Sequence, residues 1–287
     1  MLMESHSFRR IVLGLQPRAR DDIIPLAVEL ADLLHLDLLG LFVEDTSLSS
    51  LANLPFAREF RTLGGGWHSI DIDRLAHDAE LAARSVERMV GDAAKRLATR
   101  YQFEVARGPM SEIIASVSHP HDIVVIVEPI SPAERASQQF SWLVEAAFRS
   151  AAAVLLVPPR IVRMKGPIAA VAAGPDDPSI RAAAAVALAA KEELIVIDVC
   201  EPAVDDARTR ALAAELGLKI KHIAASKTLL SHPTDFSPAL HQVQERLLVM
   251  TRGTFADRVA STIASARHVP VLVVEPTDMA TAESRKG

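Results

Sequence analysis

The stretch Leu247–Pro276, LLVMTRGTFADRVASTIASARHVPVLVVEP, constrains the fold more than any other. It is an apolar run, a short polar turn, a segment of helical periodicity and a second apolar run. Two parallel strands cannot be joined by a tight turn; they need a crossover, and a helix supplies it. The pattern occurs again at Ile123–Pro159, IVVIVEP through FRSAAAVLLVPP. The apolar runs are continuous rather than alternating, as in strands covered on both faces. The chain therefore reads as two α/β units in tandem.

The 287 residues suffice for two units of ordinary size, and 49% hydrophobic content can fill their cores. Aromatics are only 4%, so the cores rest on Val, Leu, Ile and Ala. A net charge of −5 argues against a general nucleic-acid binder. The single cysteine, Cys200, excludes an internal disulfide and suits a reducing compartment. MLMESHSFRR has no apolar signal core, and no run reaches the length of a membrane span. The expectation is a soluble, cytoplasmic protein.

In order, Arg10–Leu15 reads as a strand, Asp22 as a cap and Ile23–Leu34 as an amphipathic helix, and Leu38–Val43 as a second strand. Thr46–Asp73 breaks the rhythm, with Gly64-Gly65-Gly66-Trp67-His68 near its end. It reads as a surface excursion with one short helix, or as a lid. Arg74–Arg100 is a long helix of roughly 40 Å that can project past the sheet. Its apolar face is assigned to Leu75, Leu81, Ala82, Met89, Ala93 and Leu97. Gln102–Ala106, Ile123–Val127 and Val154–Val157 complete the strands of the first unit, with helices at Ser111–Ser118, capped near Ser111, and Gln138–Ser150. The second unit repeats the order. Its strands are Pro167–Ala173, Leu194–Cys200, Lys219–Ala224, Leu247–Met250 and Val271–Val274. Its helices are Ile180–Lys191, capped by Ser179, then Arg208–Leu216, a weakly marked one ending at Leu240–Glu245, and the last one. Ile11 aligned on Ile168 places Leu38 on Ile195 and Glu44 on Glu201. The expected division is 1–159 with the insert 46–73, a linker 160–166, a second unit 167–276 and a polar tail 277–287.

Three stretches resemble the universal stress protein family in its tandem form. They are Gly108-Pro109 with Ile113 and Asp122–Val125, then Thr251-Arg252-Gly253, and Val269-Pro270 leading Val271–Val274. The resemblance covers roughly residues 8–276 outside the insert. It implies two open five-stranded parallel sheets of Rossmann-like type in a pseudo-twofold arrangement. It also implies that the halves meet through Val154–Val157 and Val271–Val274, bare apolar edges that would otherwise template aggregation.

Many members of that family bind ATP through Gly-x2-Gly-x9-Gly-Ser/Thr, whose backbone N–H groups cradle phosphate. Here Gly253 fits the first glycine, Ala256 stands at the second, and Asp257-Arg258 replace the Gly-Ser pair. Glu128–Phe140 contains no glycine. Gln16 and Ala173 stand where the family's adenine-facing acid belongs. The resemblance thus implies a non-catalytic stress-response protein that senses a small ligand or contacts a protein or a second copy, without a bound cofactor. ATP or AMP held by an altered loop is the alternative. The candidate ligand residues are Thr251, Arg252, Gly253, Asp257, Arg258, Glu201, Gln16 and Glu44, at or near the carboxyl ends of strands. The other chemistry is thinner. His119-Pro120-His121 reads as a turn, and His222, His232 and His241 lack zinc-ligand spacing. Cys200 reads as a buried hydrophobe, and a metal- or lipid-binding module through the histidines or Leu48–Phe60 is the remaining reading.

Overall fold

The computed structural model describes residues 8–15, 23–44, 56, 58–61, 66–199, 211, 214, 215, 217–225, 243–253 and 256–276. The first half runs β1 (Arg10–Leu15), α1 (Ile23–Leu33), β2 (Asp37–Glu44), β3 (Arg58–Arg61), β4 (Gly66–Ser69), α2 (Ile72–Arg96), β5 (Tyr101–Arg107), α3 (Met110–Val117), β6 (Asp122–Val127), α4 (Pro132–Arg135), α5 (Gln138–Arg149) and β7 (Ala153–Val157). The second runs β8 (Ile168–Ala172), α6 (Pro178–Ala190), β9 (Leu194–Asp198), β10 (Ile220–Ala224), β11 (Leu247–Thr251), α7 (Ala256–Arg267) and β12 (Val271–Val274). Ten strands form one sheet in the order β10-β9-β8-β11-β12-β7-β6-β1-β2-β5. The order is a palindrome, so the two five-stranded parallel sheets are related by a pseudo-twofold axis at its centre. Every neighbouring pair in it is parallel except β12 and β7, which run antiparallel with Leu272 opposite Leu155.

The continuous apolar strands fill both faces. Ile11, Leu13, Ile123, Leu155, Ile168 and Val249 point to the face covered by α1, α2 and α6. Val12, Val124, Val154, Val171, Leu248 and Val273 point to the face of α3, α5 and α7. Two bidentate ion pairs with buried carboxylates flank this core. Arg10 holds Asp122 at 2.6 and 3.2 Å, and Arg267 holds Glu245 at 2.7 Å through both oxygens.

Several expectations are corrected. The repeat is one residue out in its second strand. Ile11 lies opposite Leu38 and Ile168 opposite Leu194, so Leu38 matches Leu194, not Ile195. A strand alternates faces, and Leu38 and Leu194 share a face while Ile195 points to the other. Glu44 is therefore not the counterpart of Glu201. The described part of the insert holds an antiparallel strand pair, β3 with β4, which was not expected. Phe60 opposite Trp67 packs edge to face at 5.4 Å between ring centroids. The long helix buries Ala83, Val86, Val90, Gly91, Ala93 and Ala94, while Leu81 and Leu97 are exposed. Its first turns do project beyond the core. Asp177, not Ser179, caps α6, and Pro109 precedes α3 with no side-chain cap. Val243–Glu245 is irregular, not the end of a helix, and α4 was not expected. Asp22, Thr46–Pro55, Cys200, Arg208–Arg210, Leu240–Gln242 and the polar tail lie outside the described residues.

Gly166, between the halves, has φ +129°, and an added Cβ would lie 2.7 Å from the Gln244 carbonyl oxygen. Gly166→Ala should lower stability by about 2 kcal/mol in urea unfolding. Gly174, with open space around it, should accept alanine within about 0.5 kcal/mol.

Candidate functional site

In an open α/β sheet, a ligand crevice opens at the carboxyl ends of the strands where the chain reverses its direction of winding. That point lies between β1 and β6 in the first half and between β8 and β11 in the second.

In the second half the crevice is occupied by the protein's own groups. Asp177 precedes Pro178, which opens α6 at the position where a missing N–H costs nothing. One carboxylate oxygen accepts from Ser179 N at 3.0 Å and from the Thr251 hydroxyl. The other accepts from Ala173 N at 2.9 Å. Ser179 N also reaches Thr251 Oγ1 at 3.1 Å, and the Ser179 hydroxyl, fully buried, donates to Val171 O at 2.9 Å. A helix N-terminus attracts anions through its free N–H groups and its dipole. Here Asp177 supplies that anion, and Thr251 ties it to the end of β11.

Arg252 turns away from this crevice. Its guanidinium donates to Ser150 O at 2.6 Å and Ala152 O at 2.7 Å, pairs with Glu275, and lies 5.7 Å from the centre of the Phe148 ring. Ser150 caps the carboxyl end of α5, so a cation meets the negative end of that helix across the seam between the halves.

The registers identify the first-half counterpart. Ile11 pairs with Ile123 and Ile168 with Leu247, which sets Val127 level with Thr251 and Glu128 with Arg252. Their backbones agree: Glu128 N donates to Val157 O at 2.9 Å, and Arg252 N to Val274 O at 2.7 Å. The Glu128 side chain is fully buried and also crosses the seam. It accepts hydrogen bonds from Ser261 at 2.6 Å and from Ser265, one turn apart on α7. The same position thus carries opposite charges in the two halves, and each reaches across the seam: Glu128 to hydroxyls of α7, Arg252 to carbonyls just past α5, besides Glu275 of its own half.

Of the sequence candidates, Thr251, Arg252 and Gly253 gather at the end of β11. Asp257 and Arg258 fall in the first turn of α7, and their side chains lie outside the described residues, as do Gln16 and Glu201. Glu44 sits elsewhere, held by Arg107 at 2.7 Å. It belongs to a second concavity, a cleft of about 540 Å³ between α2 and the ends of β2 and β5. Asp177, Ser179, Glu128, Ser261 and Ser265 were not foreseen. Asp177-Pro178 is a readable cap signal, whereas nothing local marks the partners of Glu128, more than 130 positions away. His119 N donates to Asp122, as in a plain turn. His222 Nε2 stands 3.9 Å from Asp198, while His232 and His241 lie outside the described residues. Among the described residues no cluster of three metal-ligating side chains forms, and no helix is long and apolar enough to cross a membrane.

Substituting Ser261→Ala and Ser265→Ala together should cost about 3 kcal/mol, because a buried carboxylate loses its donors. Adding Glu128→Leu should recover most of that loss in the same denaturation assay. Asp177→Ala should cost about 1 kcal/mol through loss of the α6 cap, seen as a lower thermal midpoint.

No protein-family model matches the sequence, and no curated protein matches it. Solved structures do match. A universal stress protein from Archaeoglobus fulgidus is similar at 16% identity and a TM-score of 0.59, over 94% of this chain and 97% of its own. A putative universal stress protein from Pseudomonas aeruginosa is similar at 16% identity and 0.51, over 98% of each chain. The cytoplasmic domain of a prokaryotic cation chloride cotransporter is similar at 8% identity and 0.53, over 93% and 95%. The resemblance read from the motifs is borne out at the level of the fold, which is that of the universal stress proteins.

Proposed function

We propose that this chain is a non-catalytic binding module of the cytoplasm that takes part in a stress response by sensing a small ligand or contacting a protein. Its units would be residues 1–159, with the insert 46–73, and 167–276, joined by the linker 160–166. The observation that carries this reading is the occupation of the second-half crevice by Asp177 and Thr251. A nucleotide phosphate at the start of α6 would meet a carboxylate already bonded there, and like charges repel. Arg252, one of the candidate ligand residues, is committed to the Ser150 and Ala152 carbonyls and to Glu275. In the first half, Glu128 is committed in the same way to α7.

Both positions that would serve a phosphate loop have become cross-links between the halves. The 540 Å³ cleft under α2, of the size small ligands fill, supports a contact surface displaced to the outer flank of the first half.

Isothermal calorimetry with ATP and AMP in the presence of magnesium tests the reading. No saturable heat is expected up to millimolar nucleotide. Micromolar binding would instead establish that an altered loop holds the phosphates despite Asp177.

A further inference from the structure

The sheet ends at β5, which has β2 on one side and, among the described residues, no strand on the other. Such an edge leaves a row of unpaired N–H and C=O groups, and proteins normally blunt or cover it. β5 is not covered: most of its residues are exposed, Val105 to 51%. Helix α2 buries only its second half against the core. Its earlier turns form the wall of the 540 Å³ cleft, and Phe103 and Val105 of β5 form the floor.

The charge of that cleft is one-sided. Asp73, Glu80 and Glu87 recur every seventh residue along one face of α2, and Glu44 closes the end. Two arginines stand among these four carboxylates, and each is already engaged: Arg84 with Glu80 at 2.5 Å and Arg107 with Glu44 at 2.7 Å. Among the described residues, Asp73 and Glu87 form no ion pair. An open strand edge, an apolar floor and a wall with surplus negative charge thus share one cleft.

We propose that β5 and this cleft receive an extended basic segment of a partner protein, which joins the sheet beside β5. Main-chain hydrogen bonds to the edge would give affinity, and alternate side chains would give specificity. Its apolar residues would pack on Phe103 and Val105, and its lysines or arginines would face Asp73 and Glu87. An acidic segment is disfavoured by the same wall. The proposal rests on the binding-module reading above and names its partner's chemistry.

The test uses the full chain and fluorescence anisotropy with two labelled peptides, one alternating lysine and valine, the other glutamate and valine. The lysine peptide should saturate, and the glutamate peptide should not. Asp73→Lys with Glu87→Lys, both at exposed positions, should weaken binding by roughly tenfold or more, with the circular dichroism spectrum unchanged. Hydrogen exchange should slow at the Tyr101–Arg107 amides when the lysine peptide is bound. Equal binding of both peptides, full affinity in the lysine variant, or unchanged exchange in β5 would each overturn the proposal. Unchanged exchange with intact binding would mean a cation site without strand addition. Absence of peptide binding with silent nucleotide calorimetry would sink this proposal alone. Saturable nucleotide binding would instead sink the reading beneath it.

Discussion

Everything in this molecule hangs on one antiparallel pairing, β7 with β12, in a sheet whose other neighbouring strands run parallel. Each strand is an apolar edge that could not remain bare in water. Joining them turns two five-stranded sheets into one of ten strands and buries both edges at once. It also fixes where the remaining edges are among the described residues: β5 and β10, at the far ends. The cross-seam contacts of Glu128 and Arg252 depend on this pairing, because it brings each last helix within reach of the other half's fourth-strand turn.

That dependence sets what the turns after β6 and β11 must do. A phosphate loop needs small residues and free N–H groups facing solvent. A seam needs side chains long enough to cross it and partners that satisfy them in a low-dielectric setting. Glu128 and Arg252 answer the second demand. Asp177 places a carboxylate at the start of α6, where the helix dipole favours it.

The sequence carried the architecture well because apolar runs and their order are local signals. Val154–Val157 and Val271–Val274 were readable as strands from their apolar runs, and as the meeting edges through the family resemblance. The register of β2 against its counterpart was not, since both Ile195 and Leu194 are apolar and only the sheet reveals which face each one takes. The stripe on α2 was right at Ala82, Met89 and Ala93 and wrong at Leu81 and Leu97: Ala83 and Ala94 pack because small residues permit close approach, while the larger Leu81 stays outside. The hairpin β3–β4 was missed because a glycine run with polar neighbours gives no periodicity to read. The candidate site was legible only at Thr251–Gly253. Its controlling contacts join residues more than 70 positions apart, such as Asp177 with Thr251 and Glu128 with Ser261.

Glu128 and Arg252 also make the two halves unlike at the seam. By their packed faces, Phe140, Leu143, Val144, Ala147 and Phe148 of α5 correspond to Ala256, Val259, Ala260, Ile263 and Ala264 of α7. Ser261 and Ser265 then stand where α5 carries Glu145 and Arg149. Two identical first halves brought together would set each Glu128 against Glu145 and Arg149 in place of the two hydroxyls, so the contacts that bury Glu128 belong to the pairing of unlike halves.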